Sequence, residues 1–194
     1  MQRYLAASTY IDADTPAVRA AARRLAEGAA SELEVVRACF EFVRDEIRHS
    51  VDFKLNPVTC KASDVLRHQT GYCYAKSHLL AALLRANGIP AGLCYQRLSV
   101  GDGGAPYCLH GLNAVHLKDF GWYRIDARGN KPGVDARFEP PAERLAFAVR
   151  ERDERMLPEI WAEPLPVVVD ALECYDTWDR VLANLPDVEL LDRP

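Results

Sequence analysis

The segment Gly71–Pro90, GYCYAKSHLLAALLRANGIP, divides this 194-residue chain into two unlike halves. About fifteen residues of helical pattern run from Tyr72 to Ala86, with Leu79, Leu80, Leu83 and Leu84 on the side to be buried. Asn87-Gly88 is a C-terminal stop, and Pro90 just beyond it prevents the helix from resuming. Before this segment the apolar period is helical; after it the period is two. Helices first and an antiparallel sheet second make the expected fold class α+β.

Upstream, Arg3–Ala7 predicts a short strand. Thr15 with Pro16 opens a helix over about Pro16–Glu27 that ends at Gly28. Ser31-Glu32-Leu33-Glu34 is a capping box leading into VVRACFEFVRDEIRH, where Val35, Val36, Cys39, Phe42, Val43 and Ile47 recur at helical spacing. Asn56-Pro57 marks a loop, and Ser63 or Asp64 caps a short helix, SDVLRH.

Downstream, Ala91–Leu98, Cys108–Leu117 and Trp122–Asp126 alternate as strands, with GDGGAP and KDFG supplying the turns. VDARF predicts another strand, AERLAFAVRERDERM a polar helix, and about Ala171–Leu185 a last helix. We expect one domain over residues 1–194, with a core at about 16–138 and residues 139–194 as an extension packed on it.

Lys and Arg number 24 against 28 Asp and Glu, so the net charge is −4, which argues against nucleic-acid binding. No apolar run reaches the roughly 18 residues a membrane span requires. The N-terminus lacks the charged and apolar regions of a signal peptide, so the expected location is the cytoplasm. Six cysteines (Cys39, Cys60, Cys73, Cys94, Cys108 and Cys174) are then expected to be free thiols. Pairs such as Cys60/Cys73 and Cys94/Cys108 lack zinc-ligand spacing, and no acidic loop of EF-hand kind occurs, so neither metal nor cofactor is expected.

Cys73 starts the central helix, where unpaired N–H groups and the macrodipole favour a thiolate. Thiol chemistry on an amide carbonyl also needs a base and a group to orient it. The strand HGLNAVHL offers His110 and His116, and the next strand ends in Asp126. The two histidines share a strand face but lie roughly 20 Å apart at about 3.3 Å per residue, so only one can reach Cys73. A tight hairpin at Lys118–Gly121 sets Asp126 opposite Leu112 or Ala114, and register by itself does not choose between the rings. His78, His49 and His68 read as polar-face or surface residues. Cys94 and Cys108 read as packed strand residues, and Trp122-Tyr123 as sheet packing.

SDVLRHQTGYCYAKSHLLAALLRANGIPAGLCY resembles the nucleophile region of the transglutaminase-like superfamily, in which G-x-C opens a helix ending in a Gly-Ile-Pro-Ala turn. HGLNAVHL followed by GWYRID is similar to that family's histidine strand and strand-Asp pattern. The resemblance covers about residues 63–130 and fits loosely back to 16–48. It implies a papain-like core with the nucleophile helix packed on an antiparallel sheet, Cys73 as nucleophile, His110 as base and Asp126 as orienting acid. Two departures stand out: Leu112 and Ala114 replace the family's usual aromatic and often charged residues, and Ala127-Arg128 replaces Pro-Thr. Both alter the pocket more than the triad.

The implied reaction is attack on an amide carbonyl through a thioester, with hydrolysis of a protein or peptide substrate as the leading outcome. Acyl transfer to an amine and a non-catalytic interaction module are the alternatives. The Cys73 backbone N–H at the helix start is the natural first oxyanion donor, and the sequence assigns no second one, Gln69 included.

Overall fold

The computed structural model describes residues 1–101 and 103–189. Its centre is a helix buried on every side. After helix α1 (Pro16–Ala26) and helix α2 (Glu32–Glu41), the chain forms a two-residue strand β1 (Arg48–His49) and a short helix α3 (Ser50–Phe53). Helix α4 (Ala62–His68), strand β2 (Thr70–Gly71) and the central helix α5 (Cys73–Ala86) follow. Strands β3 (Ala91–Ser99), β4 (Tyr107–Leu117) and β5 (Gly121–Ile125) come next, then β6 (Arg137–Glu139), β7 (Ala142–Arg144) and β8 (Arg155–Met156). Helices α6 (Pro166–Glu173) and α7 (Trp178–Ala183) end the described chain.

The main sheet is antiparallel, in the order β5-β4-β3-β8. Helices α1, α2 and α4 pack on one side of α5, and β3 and β4 on the other. Leu79, Leu80, Leu83 and Leu84 are fully buried, each contributing about 1.5–3 kcal/mol relative to exposure. The burial extends to the polar residues of α5, which find fixed partners. The Arg85 guanidinium donates to the carbonyls of Ala6, Ala91 and Ala162. His78 bonds through Nδ1 to the Cys60 carbonyl at 2.7 Å, so it is a core histidine rather than the polar-face residue expected.

Several elements differ from expectation, each for a tertiary reason. Residues Gln2–Tyr4 form a 3-10 turn instead of a strand, and the Tyr4 hydroxyl donates to the Ile160 carbonyl. The second helix loosens into a π-turn over Phe42–Glu46 and stops. The buried ammonium of Lys76 takes the Ile47 carbonyl and, at 3.3 Å, that of Arg44, two acceptors that a continuing helix would have used. Neither Ser63 nor Asp64 caps α4. Lys61 is its N-cap, and Asp12 reaches across to accept from the Ser63 N–H at 2.9 Å.

The segment AERLAFAVRERDERM is not a helix. Its start pairs with β6 as β7, and its end adds to the open edge of β3 as β8, where sheet hydrogen bonds outweigh helix propensity. The final predicted helix is two: α6 begins one turn earlier, at Pro166, and the chain breaks before α7, where the Asn56 side chain accepts from the Trp178 N–H. Asp102 of the predicted GDGGAP turn lies outside the described residues.

Candidate active site

The hairpin joining β4 to β5 sets the site. Its register pairs Leu117 with Gly121 and Asn113 with Ile125, so β5 ends at Ile125 while β4 runs on to Tyr107. One step beyond the last pair, Asp126 falls opposite Leu112, on the face that also carries His110. Where β5 leaves off, β4 has outward N–H groups to satisfy. Leu109 donates its N–H to the Pro186 carbonyl at 2.7 Å, and Gly111 donates its N–H to the Cys73 sulfur at 3.4 Å.

Cys73 is the first residue of α5. Tyr72 is its N-cap and supplies no side-chain cap, so the positive end of the helix is left open beside the sulfur. Helix and strand come this close because residue 111 is glycine. A Cβ there would sit 3.0 Å from the Tyr74 Cα and 3.1 Å from the Tyr74 nitrogen, both backbone atoms.

His110, Asp126 and Cys73 are brought together. His110 Nε2 and Asp126 Oδ2 are 2.8 Å apart, with the carboxylate wholly buried. Asp126 also accepts from the Ala146 N–H at 3.0 Å and the Arg128 N–H at 3.1 Å, so three donors fix its orientation. With Nε2 taken, Nδ1 is the ring nitrogen left for the thiol, and both side chains line the same cavity. Burial by itself lowers the His110 pKa; the Asp126 carboxylate, followed by the Cys73 sulfur, outweighs it and pushes the value up to about 10. Burial raises the Asp126 pKa, but the His110 partner reverses this and leaves it below the usual carboxylate range. A proton is thereby favoured on the imidazole between two acidic partners.

His116 lies elsewhere. Its ring packs edge-on against Trp122 at 5.4 Å, and Trp122 in turn packs against Tyr4, on a second small apolar cluster with Cys94, Leu112 and Ala114. Cys108, expected to pack as a strand residue, lines the cavity above Cys73, whereas Gln69 is exposed and does not.

Above the three side chains is a cavity of about 300 Å³. Leu98, Leu109, Leu182 and Leu185 line part of it; His49, Asp52, Arg128 and Lys131 line another part. His49 was expected on the surface and is 7% exposed. The parallel bridge between β1 and β2 pairs it with Gly71, two residues before Cys73, and a two-residue pairing of segments twenty residues apart leaves no mark in the sequence. Burial, followed by the Arg128 charge, holds its pKa well below the ordinary histidine value, so the ring is neutral.

Residues beyond 138 complete the site. Phe147 sets its ring edge-on against His110, with centroids 4.9 Å apart and planes at 86°. The Tyr72 hydroxyl donates to the Trp178 carbonyl. Read as a polar helix, AERLAFAVRERDERM held no signal for Ala146 and Phe147 as site residues.

A thiol beside an imidazole that a carboxylate holds is the arrangement in which a proton moves from sulfur to ring and sulfur attacks a carbonyl carbon. A solved structure with a similar fold is a candidate cysteine protease from Cytophaga hutchinsonii, at 20% identity and a TM-score of 0.51, matched over 64% of this chain and 40% of that one. Another is the periplasmic domain of TgpA from Pseudomonas aeruginosa, at 22% identity and a TM-score of 0.48, over 65% of this chain and 46% of that one. The chain thus spans less than half the length of either, and the likeness concerns the fold. No curated protein matches it. The family model of the transglutaminase-like superfamily matches residues 19–127, more than half the chain and a span that holds Cys73, His110 and Asp126, and the protein therefore belongs to that superfamily.

Proposed function

We propose that the protein is a thiol amidase or peptidase, with Cys73 as nucleophile, His110 as general base and acid, and Asp126 as the group that orients the ring. The observation carrying this reading is the buried His110–Asp126 pair, 2.8 Å apart, beside a thiol at an open helix terminus on a cavity.

In the resting pair His110 already holds the Cys73 proton as an imidazolium, and the thiolate attacks the amide carbonyl carbon. The oxyanion is met by the Cys73 backbone N–H at the start of α5. Imidazolium returns its proton to the amide nitrogen, the C–N bond breaks, and the amine leaves a thioester on Cys73. Water then attacks the thioester with His110 as base, the C–S bond breaks, and a carboxylic acid is released. The cavity wall supports water over an amine as acceptor. Among the described lining residues Arg128 and Lys131 face a single acid, so a lysine ammonium approaching the thioester meets net positive charge, and water does not.

Alkylation by iodoacetamide near neutral pH, mapped by mass spectrometry, tests the reading. Cys73 is expected to react faster than the exposed Cys174, with Cys39, Cys60, Cys94 and Cys108 slowest, because burial pushes those four thiols up to between about 11 and about 12. Cys73 reacting no faster than Cys174 sinks the enzyme reading. If only His116→Ala abolishes fast labelling and His110→Ala does not, the base is misassigned. Incubation with casein and a fluorescent amine separates the outcomes, since incorporated fluorophore would replace hydrolysis by amine transfer.

A further inference from the structure

The cavity above Cys73 carries an unequal charge count. Arg128 and Lys131 both bind one carboxylate. Arg128 donates to the two Asp52 oxygens at 2.6 and 3.0 Å, and Lys131 Nζ lies 2.7 Å from Oδ1. Asp52 is the acid among the described residues lining the cavity, so two cations share one negative charge. The excess runs against a chain whose net charge is −4.

The same corner holds an unpaired polar atom. His49 is more than nine-tenths buried, and its Nδ1 makes no hydrogen bond; the nearest carboxylate oxygen, on Asp52, is 3.9 Å away. A buried polar nitrogen without a partner is destabilising and is relieved when a ligand supplies one. Arg128 is itself fixed. Its guanidinium carbon lies 5.6 Å from the Phe147 ring centroid, its side chain is 8% exposed, and its backbone N–H holds Asp126. The guanidinium is therefore set at a constant offset from the reacting sulfur. The cavity's other lining, at Leu98, Leu109, Leu182 and Leu185, is apolar.

We propose that this cavity selects acyl donors bearing a carboxylate, held by Arg128, Lys131 and His49, with an apolar body along Leu98, Leu109 and Leu182. The selection rests on the thiol reading given above and adds its substrate class. Arg128 and His49 are buried, so a carboxylate in this corner meets preorganised donors less screened than in water, with the exposed Lys131 adding its charge at the rim.

Two alkylating reagents of nearly equal size, anionic iodoacetate and neutral iodoacetamide, read the cavity's charge directly. The quantity measured is the iodoacetate-to-iodoacetamide rate ratio at Cys73, divided by the same ratio at the exposed Cys174. Changes in the intrinsic nucleophilicity of Cys73 cancel. Lys131→Gln is expected to lower this quotient roughly fivefold at low ionic strength, and Asp52→Asn to raise it by a similar factor, as removal of one charge several ångström away requires. Added salt shrinks both effects. A quotient unmoved by either substitution overturns the proposal while fast iodoacetamide labelling leaves the thiol reading standing. Slow labelling by both reagents overturns the two together.

Protection of Cys73 from iodoacetamide then tells which carboxylate is taken. N-acetylglutamine presents an α-carboxylate and N-acetylglutamate α-amide a side-chain carboxylate. Protection by either supports the proposal and names the source; protection by neither overturns it.

Discussion

The Gly111 backbone N–H points at the Cys73 sulfur across 3.4 Å, from a strand edge that β5 leaves uncovered. One glycine thus joins the sheet to the start of helix α5. It gives the sulfur a hydrogen-bond donor, and its missing side chain lets the helix come close enough to use it.

Gly111→Ala therefore breaks the site from its backbone outward. The new methyl would meet Tyr74 backbone atoms at 3.0 and 3.1 Å, and backbone cannot swing aside as a flexible side chain can. We expect a loss of about 1–3 kcal/mol in stability and at least tenfold slower alkylation of Cys73. Thermal unfolding and the iodoacetamide rate check this; wild-type values for both would show that the close approach is unimportant.

The Asp126 carboxylate and the Cys73 sulfur favour the charged form of the His110 ring. With its pKa raised to about 10, it holds its proton below that pH and loses it as the pH rises through that value. An NMR titration of ring-labelled histidine should show one ring charged at pH 8, its signal absent in His110→Ala. A His110 signal typical of neutral imidazole at pH 7 would contradict the pairing with Asp126.

His78 gives the protein an acid sensitivity unrelated to catalysis. Burial first, partly offset by the Cys60 carbonyl bond, lowers its pKa to about 4, against 6.5 when exposed. Between those values the unfolded chain binds a proton that the folded chain refuses, so stability is full above pH 6.5 and falls toward pH 4. Urea unfolding across this window should show a slope that flattens in His78→Gln. An identical slope in the variant would place the acid sensitivity elsewhere.

Phe147 steadies the His110 ring by its edge-on contact at 4.9 Å. Such a pair contributes about 0.5–1.5 kcal/mol beyond burial. Phe147→Ala is expected to slow Cys73 alkylation several-fold with little change in secondary structure by circular dichroism. Unchanged alkylation would make Phe147 a wall of the cavity and no more.

The residues that announce themselves locally were legible. The Ser31 cap forms, with the Ser31 hydroxyl accepting from the Glu34 N–H, while the Glu34 carboxylate accepts from the Ala30 N–H instead of completing the box at Ser31. The helix stop at Asn87-Gly88 and the three strands after it fall within a residue or two of expectation. The family match over residues 19–127 reaches further back than the motifs at 63–130. What failed was sequence whose partners are distant. Helix propensity in AERLAFAVRERDERM was real, yet the edge of β3 and the Asp126 carboxylate claimed its backbone N–H groups. Histidines illustrate the same limit, since His49, His68 and His78 look alike in sequence. Only the bridge to Gly71 and the packing around α5 separate a cavity residue and a core residue from the exposed His68.

By itself the sequence determined the succession of helices and strands, the glycine-flanked thiol at a helix start, and the order of cysteine, histidine and acid along the chain. These follow from periodicity, caps and turns, which act over a few residues. The tertiary structure decided which histidine meets the sulfur, that residues past 138 hold Asp126 and shield His110, and that Arg128, Lys131 and His49 share one cavity. Those outcomes depend on strand register and on contacts between residues far apart in the chain, where each backbone group takes whichever partner folding leaves within reach.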